Sequence, residues 1–198
     1  AQVYGNAWVH GNAWVYGNAR VHGNAWVHGD AWVYGDAQVY GNAWVHGDAW
    51  VYGNAQVYGN AQVHGDAQVY GNAWVHGNAW VYGDAQVYGN AWVYGNAQVH
   101  GDARVHGNAW VHGNARVYGN DDLLVFQDVG SERQTLTSWR TAGLVTVSFG
   151  CWCGSLAEYR VGAASQGWDD PSWVVKHAAL ADAVELIWAS RPSNGGES

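Results

Sequence analysis

The chain has 198 residues and is rich in Gly (28), Trp (15) and Tyr (12), with 2 Phe, 2 Pro, 2 Cys and no Met. Eight basic against sixteen acidic side chains give a net charge of −8, which argues against wrapping a phosphate backbone, so no nucleic-acid partner is expected. No apolar run is long enough to span a bilayer and no charged-then-apolar leader opens the chain, so no membrane partner and, by default, a cytoplasmic location are expected.

Residues 1–120 are twenty uninterrupted copies of Ala-x-Val-(Tyr/His)-Gly-(Asn/Asp). A fixed short period dictates the fold before any local propensity does. Within each unit Ala and Val are expected to point inward and x outward. Gly followed by Asn or Asp, the residues most tolerant of left-handed backbone, then turns the chain. Three such corners close a coil of 18 residues, and stacked coils pair edge to edge. The unit resembles the hexapeptide repeat of left-handed parallel β-helices, with Gly one position later than is usual there.

An 18-residue coil predicts that variable positions correlate at that spacing, and they do. The outward positions sort into three faces. The first reads Trp8, Trp26, Trp44, Gln62, Trp80, Gln98, Arg116; the second Trp14, Trp32, Trp50, Gln68, Gln86, Arg104; the third Gln2, Arg20, Gln38, Gln56, Trp74, Trp92, Trp110. The residues before Gly sort as well, with His10, His28, His46 and His64 opening the first face and Tyr16 to Tyr88 the second. Asp30, Asp48, Asp66, Asp84 and Asp102 all follow the first face, whereas the corner after the third holds only Asn. At about 4.8 Å between strands, rings are expected to stack and amides to hydrogen-bond. The predicted rod is roughly 32 Å long, with a dry Ala and Val interior and no pocket.

The repeat stops at Asp121. Residues 121–127, 135–142 and 144–149 read as strands, with turns at Gly130-Ser131 and Ala142-Gly143. Ser155-Leu-Ala-Glu158 is a capping box opening a short helix. Asp170-Pro171 then supplies an N-cap and first-turn proline for a second helix to about Ser190. Trp173, His177, Leu180, Ala181, Val184 and Trp188 form its buried stripe. The segment Val129-Gly-Ser131, Thr137-x-Trp139-Arg140 and Gly150-Cys151-x-x-Gly154-x-Leu156-x-Glu158-Tyr159 is similar to a domain that follows hexapeptide repeats in uncharacterised bacterial and bacteriophage proteins. That resemblance implies a phage or prophage origin and carries no activity with it.

The expected fold class is therefore an all-β solenoid over 1–120, a left-handed parallel β-helix with three hexapeptides per coil. A small α+β domain over 121–191 is expected to cap it, and 192–198 to form a disordered tail. The repeat pattern is already under way at Ala1 with no capping element before it, so either a preceding cap or a partner is expected to cover that edge.

Four chemistries compete. Fold resemblance suggests an acyltransferase-like trimer with a catalytic His between subunits, but the coils lack an excursion loop and the histidines are interchangeable with Tyr. The His-Gly-Asp corners could bind cations, though Asp and His also serve there as plain turn and stacking residues. Stacked carboxylates are expected to raise the histidine midpoints above those of model peptides. Cys151 and Cys153 with His177 could form a reactive cluster, against the commoner reading of a buried structural thiol. No catalytic residue, metal site or cofactor is expected. The aromatic ladders Trp8, Trp26, Trp44, Trp14, Trp32, Trp50, Trp74, Trp92 and Trp110 are the expected binding surface. They would serve a homo-oligomer (dimer, trimer or end-to-end assembly), a protein partner or a glycan stacked on the rings.

Overall fold

A computed structural model describes residues 1–129, 134–141, 144–149, 152–165 and 171–191. The chain divides into two compact units, Ala1–Asn120 and Asp121–Ser198.

The first unit is a parallel β-solenoid. Each hexapeptide contributes one two-residue strand, from β1 (Gln2–Val3) to β20 (Arg116–Val117), and every third strand joins the same sheet. Two sheets have seven strands and one has six, and residue i always pairs with i+18, as in Trp26↔Trp44 and Val27↔Val45. The N–H of Trp26 donates to Ala43 O at 2.9 Å and that of His28 to Val45 O at 3.0 Å, and the same pair of bonds recurs up the rod. Three faces per coil, inferred from spacing alone, are thus what the backbone builds.

From Ala19 to Val117 each Ala and Val of the repeat is buried, at 0–1% exposure. Small and β-branched side chains suit the narrow interior, where a larger group would push the three sheets apart. The corners need glycine on two counts. Gly53 sits at φ +69°, and a Cβ built on it would meet the backbone N of Gly71 at 3.1 Å. Left-handed backbone and the next coil's approach therefore both exclude a side chain. Asn completes the corner: Asn42 Nδ2 donates to Asn60 Oδ1 and Asn60 Nδ2 to Asn78 Oδ1, each at 3.0 Å. The amide ladder runs through these corners and not through the Gln rows, where Gln56 accepts from Tyr40 Oη at 3.2 Å.

The second unit is an antiparallel sheet with two helices. β21 (Leu123–Val129), β22 (Gln134–Thr141), β23 (Leu144–Phe149) and β24 (Trp152–Ser155) lie in sequence order, followed by α1 (Leu156–Ser165) and α2 (Pro171–Ser190). Three of the strands match the expected runs; β24 is additional, because its Gly and Ser mask it as a turn. Across the sheet, Phe126, Leu136, Phe149 and Trp152 form one row and Leu124, Ser138, Val147 and Gly154 the next. Leu124, Leu136, Val147, Tyr159, Ala181, Val184 and Trp188 make the core. The capping box forms as read: Ser155 N and Oγ both donate to Glu158 Oε2 at 2.8 Å, and Glu158 N donates to Ser155 Oγ at 3.2 Å. His177, Ala181, Val184 and Trp188 are buried on α2, as its stripe requires.

The expected turns Gly130-Ser131 and Ala142-Gly143, the N-cap Asp170, Cys151 and the tail 192–198 lie outside the described residues, as does the side chain of Trp173. No helix among the described residues is long and apolar enough to cross a membrane.

Candidate functional site

Each face of the solenoid carries two side-by-side ladders, because x and the residue before Gly both point outward with Val between them. Trp8 and Trp26 stack at 5.8 Å and Trp26 and Trp44 at 5.4 Å on the first face. On the second, Trp14 and Trp32 stack at 5.7 Å and Trp32 and Trp50 at 5.4 Å. On the third, Trp74, Trp92 and Trp110 follow at 4.7 and 5.4 Å. The neighbouring Tyr and His ladders touch the indoles edge-on: His10 meets Trp26 at 6.2 Å and 81°, and Tyr16 meets Trp32 at 6.1 Å and 80°.

This packing decides what the ladders can recognise. Indoles within one ladder lie nearly parallel, 10–16° apart, whereas the Tyr and His rings of the neighbouring ladder stand at 73–81° to them. Each face of the rod thus offers offset-stacked indoles beside a second, nearly perpendicular ring column, an apolar surface suited to aromatic and aliphatic contact.

Exposure divides the nine expected tryptophans. Trp8 (60%), Trp14 (59%), Trp26 (36%), Trp44 (41%) and Trp50 (39%) are exposed; Trp32, Trp74, Trp92 and Trp110 are half-buried. Trp80, placed on the first face by the 18-residue register but not among the nine expected binding residues, is also exposed at 41%. The dominant aromatic surface is thus the first three coils of the first two faces. At about 250 Å² per Trp side chain, its five exposed rings offer on the order of 600 Å².

The corner between those two faces is acidic. Asp30, Asp48, Asp66, Asp84 and Asp102 line it, all exposed, and no Lys or Arg occurs between residues 21 and 103. Asn12 Nδ2 donates to Asp30 Oδ1 at 2.8 Å, after which the amide ladder stops. The carboxylates do not lift the histidines as expected. Burial, followed by the stacked His10, holds His28 below its ordinary value. His46 is lowered by burial and then by His64 and His28, and His64 by burial. The physical reason is placement: the imidazoles lie half-buried against other rings, while the carboxylates sit in water at the corner, where solvent screens them. Among the described residues, no group of three or more His, Cys, Asp and Glu is placed to hold a metal ion. The regular exterior was expected to lack a pocket, yet Gln2, Asn18, Arg20, Asp36 and Gln38 line a polar depression near the start of the rod.

In the second unit, Cys153 and His177 are the members of the suspected cluster among the described residues. Cys153 is exposed on the edge strand β24, so it is not the buried structural thiol that was expected. Desolvation and then the Glu158 carboxylate push its thiol up, opposite to what an attacking thiolate needs. His177 shares a buried hydrogen bond through Nδ1 with the Tyr159 hydroxyl and meets the Phe149 ring edge-on at 4.9 Å. Burial lowers His177 and raises Tyr159, so both stay neutral and serve the core.

Comparison with known families gives one result, and it falls on the repeat. The family described as the YdcK beta solenoid repeat matches residues 1–17, 13–29, 31–47, 37–53, 49–65, 67–83, 85–101 and 97–113. These stretches cover more than half of the chain, which therefore belongs to that family. No curated protein and no solved structure matches it.

Proposed function

We propose that this solenoid protein is a non-enzymatic structural and interaction module, whose rigid rod holds aromatic ladders in register for docking against another copy of itself. The observation that carries the reading is the aromatic surface on the first three coils, where Trp8, Trp14, Trp26, Trp44 and Trp50 are exposed while the Ala and Val interior from Ala19 onward is buried. Tryptophan is the residue most enriched at interface hot spots, and surfaces of this size mark association sites. An acyltransferase would need one imidazole in singular surroundings; the solenoid histidines instead occupy one repeated stacking position. The phage or prophage setting rests on the resemblance of the segment from Val129 to Tyr159.

Two copies each carrying −8 repel, so salt should strengthen their association by screening. The test is sedimentation of the full chain across protein and salt concentration, beside a variant with Trp14, Trp32 and Trp50 all changed to Gln. Glutamine already occupies the same ladder at Gln68 and Gln86, so the rod should tolerate it. Association that rises with salt and falls in the variant supports the reading. A monomer at every concentration removes it.

A further inference from the structure

Two ring columns on adjacent faces share a geometry and differ in chemistry. Tyr16, Tyr34, Tyr52, Tyr70 and Tyr88 stack at 4.9 Å with planes within 3°. His10, His28, His46 and His64 stack at 4.9 Å with planes within 4°. Phenols stay neutral through the physiological range, whereas imidazoles take up a proton near pH 6.5. This is also the one place in the repeat where histidines are consecutive. His22 stands between Tyr4 and Tyr40, His76 between Tyr58 and Tyr94, and His100 between Tyr82 and Tyr118.

We propose that the His10–His28–His46–His64 column is an acid-responsive seam, which loosens the first face over its first four coils as the solution turns acid while the tyrosine face beside it holds. The groups around the column set the sign. Each inner imidazole has another imidazole above and below it, and Tyr82 closes the far end at 5.0 Å from His64. The indoles of Trp26, Trp44 and Trp80 stand nearly perpendicular beside His10, His28 and His64. Asn12, Asp30, Asp48 and Asp66 follow the four histidines at the corner, and no cation faces the column from residues 21 to 103. Charging one imidazole therefore opposes charging the next at 4.9 Å, well inside the screening length, while the compensating carboxylates sit in water.

The direction of the histidine midpoints agrees with this geometry. With the folded values of His28, His46 and His64 depressed, these three carry no penalty above about pH 6.5. As pH falls below that, the unfolded chain takes protons that the fold resists, and stability is lost down to the folded midpoints. A rod stabilised by contacts between neighbouring coils can answer such a load by opening locally.

Amide hydrogen exchange on the full chain at pH 7 and pH 5, corrected for intrinsic rates, reads the seam directly. The N–H groups of Trp26, His28, Trp44 and His46 donate across coils on the first face, and those of Trp32, Tyr34, Trp50 and Tyr52 on the second. Exchange at pH 5 should rise about tenfold or more at the first set and stay level at the second. Changing His28, His46 and His64 together to Tyr copies the neighbouring column and should erase the difference. Equal exchange on both faces overturns the proposal. Should the variant fold poorly, histidine midpoints by NMR on the unmodified chain decide alone: values above the ordinary one mean that the carboxylates win and no seam exists.

Discussion

The two units reach stability by opposite means. In the solenoid every contact is repeated: the same Ala and Val core, the same corner glycine and the same ring stack recur each coil, so no residue is singular. The second unit depends on contacts that occur once. Trp188 Nε1 donates to Ser138 Oγ at 2.9 Å, and Ser138 Oγ donates onward to Thr146 O at 2.9 Å. The guanidiniums of Arg140 and Arg191 lie 5.0 and 5.3 Å from the Trp188 ring, and Arg191 Nη1 also reaches Asp121 O at 2.8 Å. A repeated contact spreads a defect's cost locally and evenly; a singular one concentrates it.

The comparison is most open to attack at Trp188. Trp188→Ala deletes a buried ring together with its hydrogen bond and both cation contacts, at a cost of about 3–5 kcal/mol. Limited proteolysis should then cut within residues 121–198 and leave 1–120 intact; cleavage spread over both units would mean that they are not independently stable. Glycine provides the next test. Gly53→Ala should cost about 2 kcal/mol or more, from left-handed backbone and contact with Gly71, and Gly59→Ala or Gly71→Ala should cost the same. Gly162→Ala in α1, where a Cβ meets nothing within 4 Å, should instead stabilise by about 0.5–1 kcal/mol. Denaturant midpoints of the four variants check both signs. The smallest effect concerns the corners: Asn60→Asp removes the donor to Asn78 and should cost about 1 kcal/mol by the same measurement. No change would show that the amide ladder is ornament and that the Asp corner is as stable as the Asn ones.

Legibility followed the same division. Three faces, the inward Ala and Val and the stacked ladders were all readable, because a period of 18 turns sequence distance into spatial adjacency. The capping box at Ser155 and Glu158 was readable for a similar reason, being a contact three residues long. What stayed hidden had no period. Nothing in the residue order links Arg140 with Trp188, or Tyr159 with His177, since these partners meet only after the helices pack on the sheet. The ladders also concealed two properties behind a correct assignment. Spacing placed the tryptophans on faces without saying that the two ring columns of a face would stand nearly perpendicular to each other. It likewise set imidazoles beside carboxylates without revealing that burial against other imidazoles outweighs the attraction.

The corner glycines, from Gly5 to Gly95 each set against the glycine of the next coil, give the rod a counting rule. A residue's face is fixed by its hexapeptide number modulo three, and its height by the coil. Adding eighteen residues would lengthen the rod and leave every later residue on its own face. Adding six would move everything downstream round by one side: Trp74, Trp92 and Trp110 would continue the first-face ladder, and the carboxylate column would break and resume on a different edge. Length can therefore change freely only in whole coils, and any other insertion acts as a frameshift written in space, preserving each strand while scrambling the surface they jointly display.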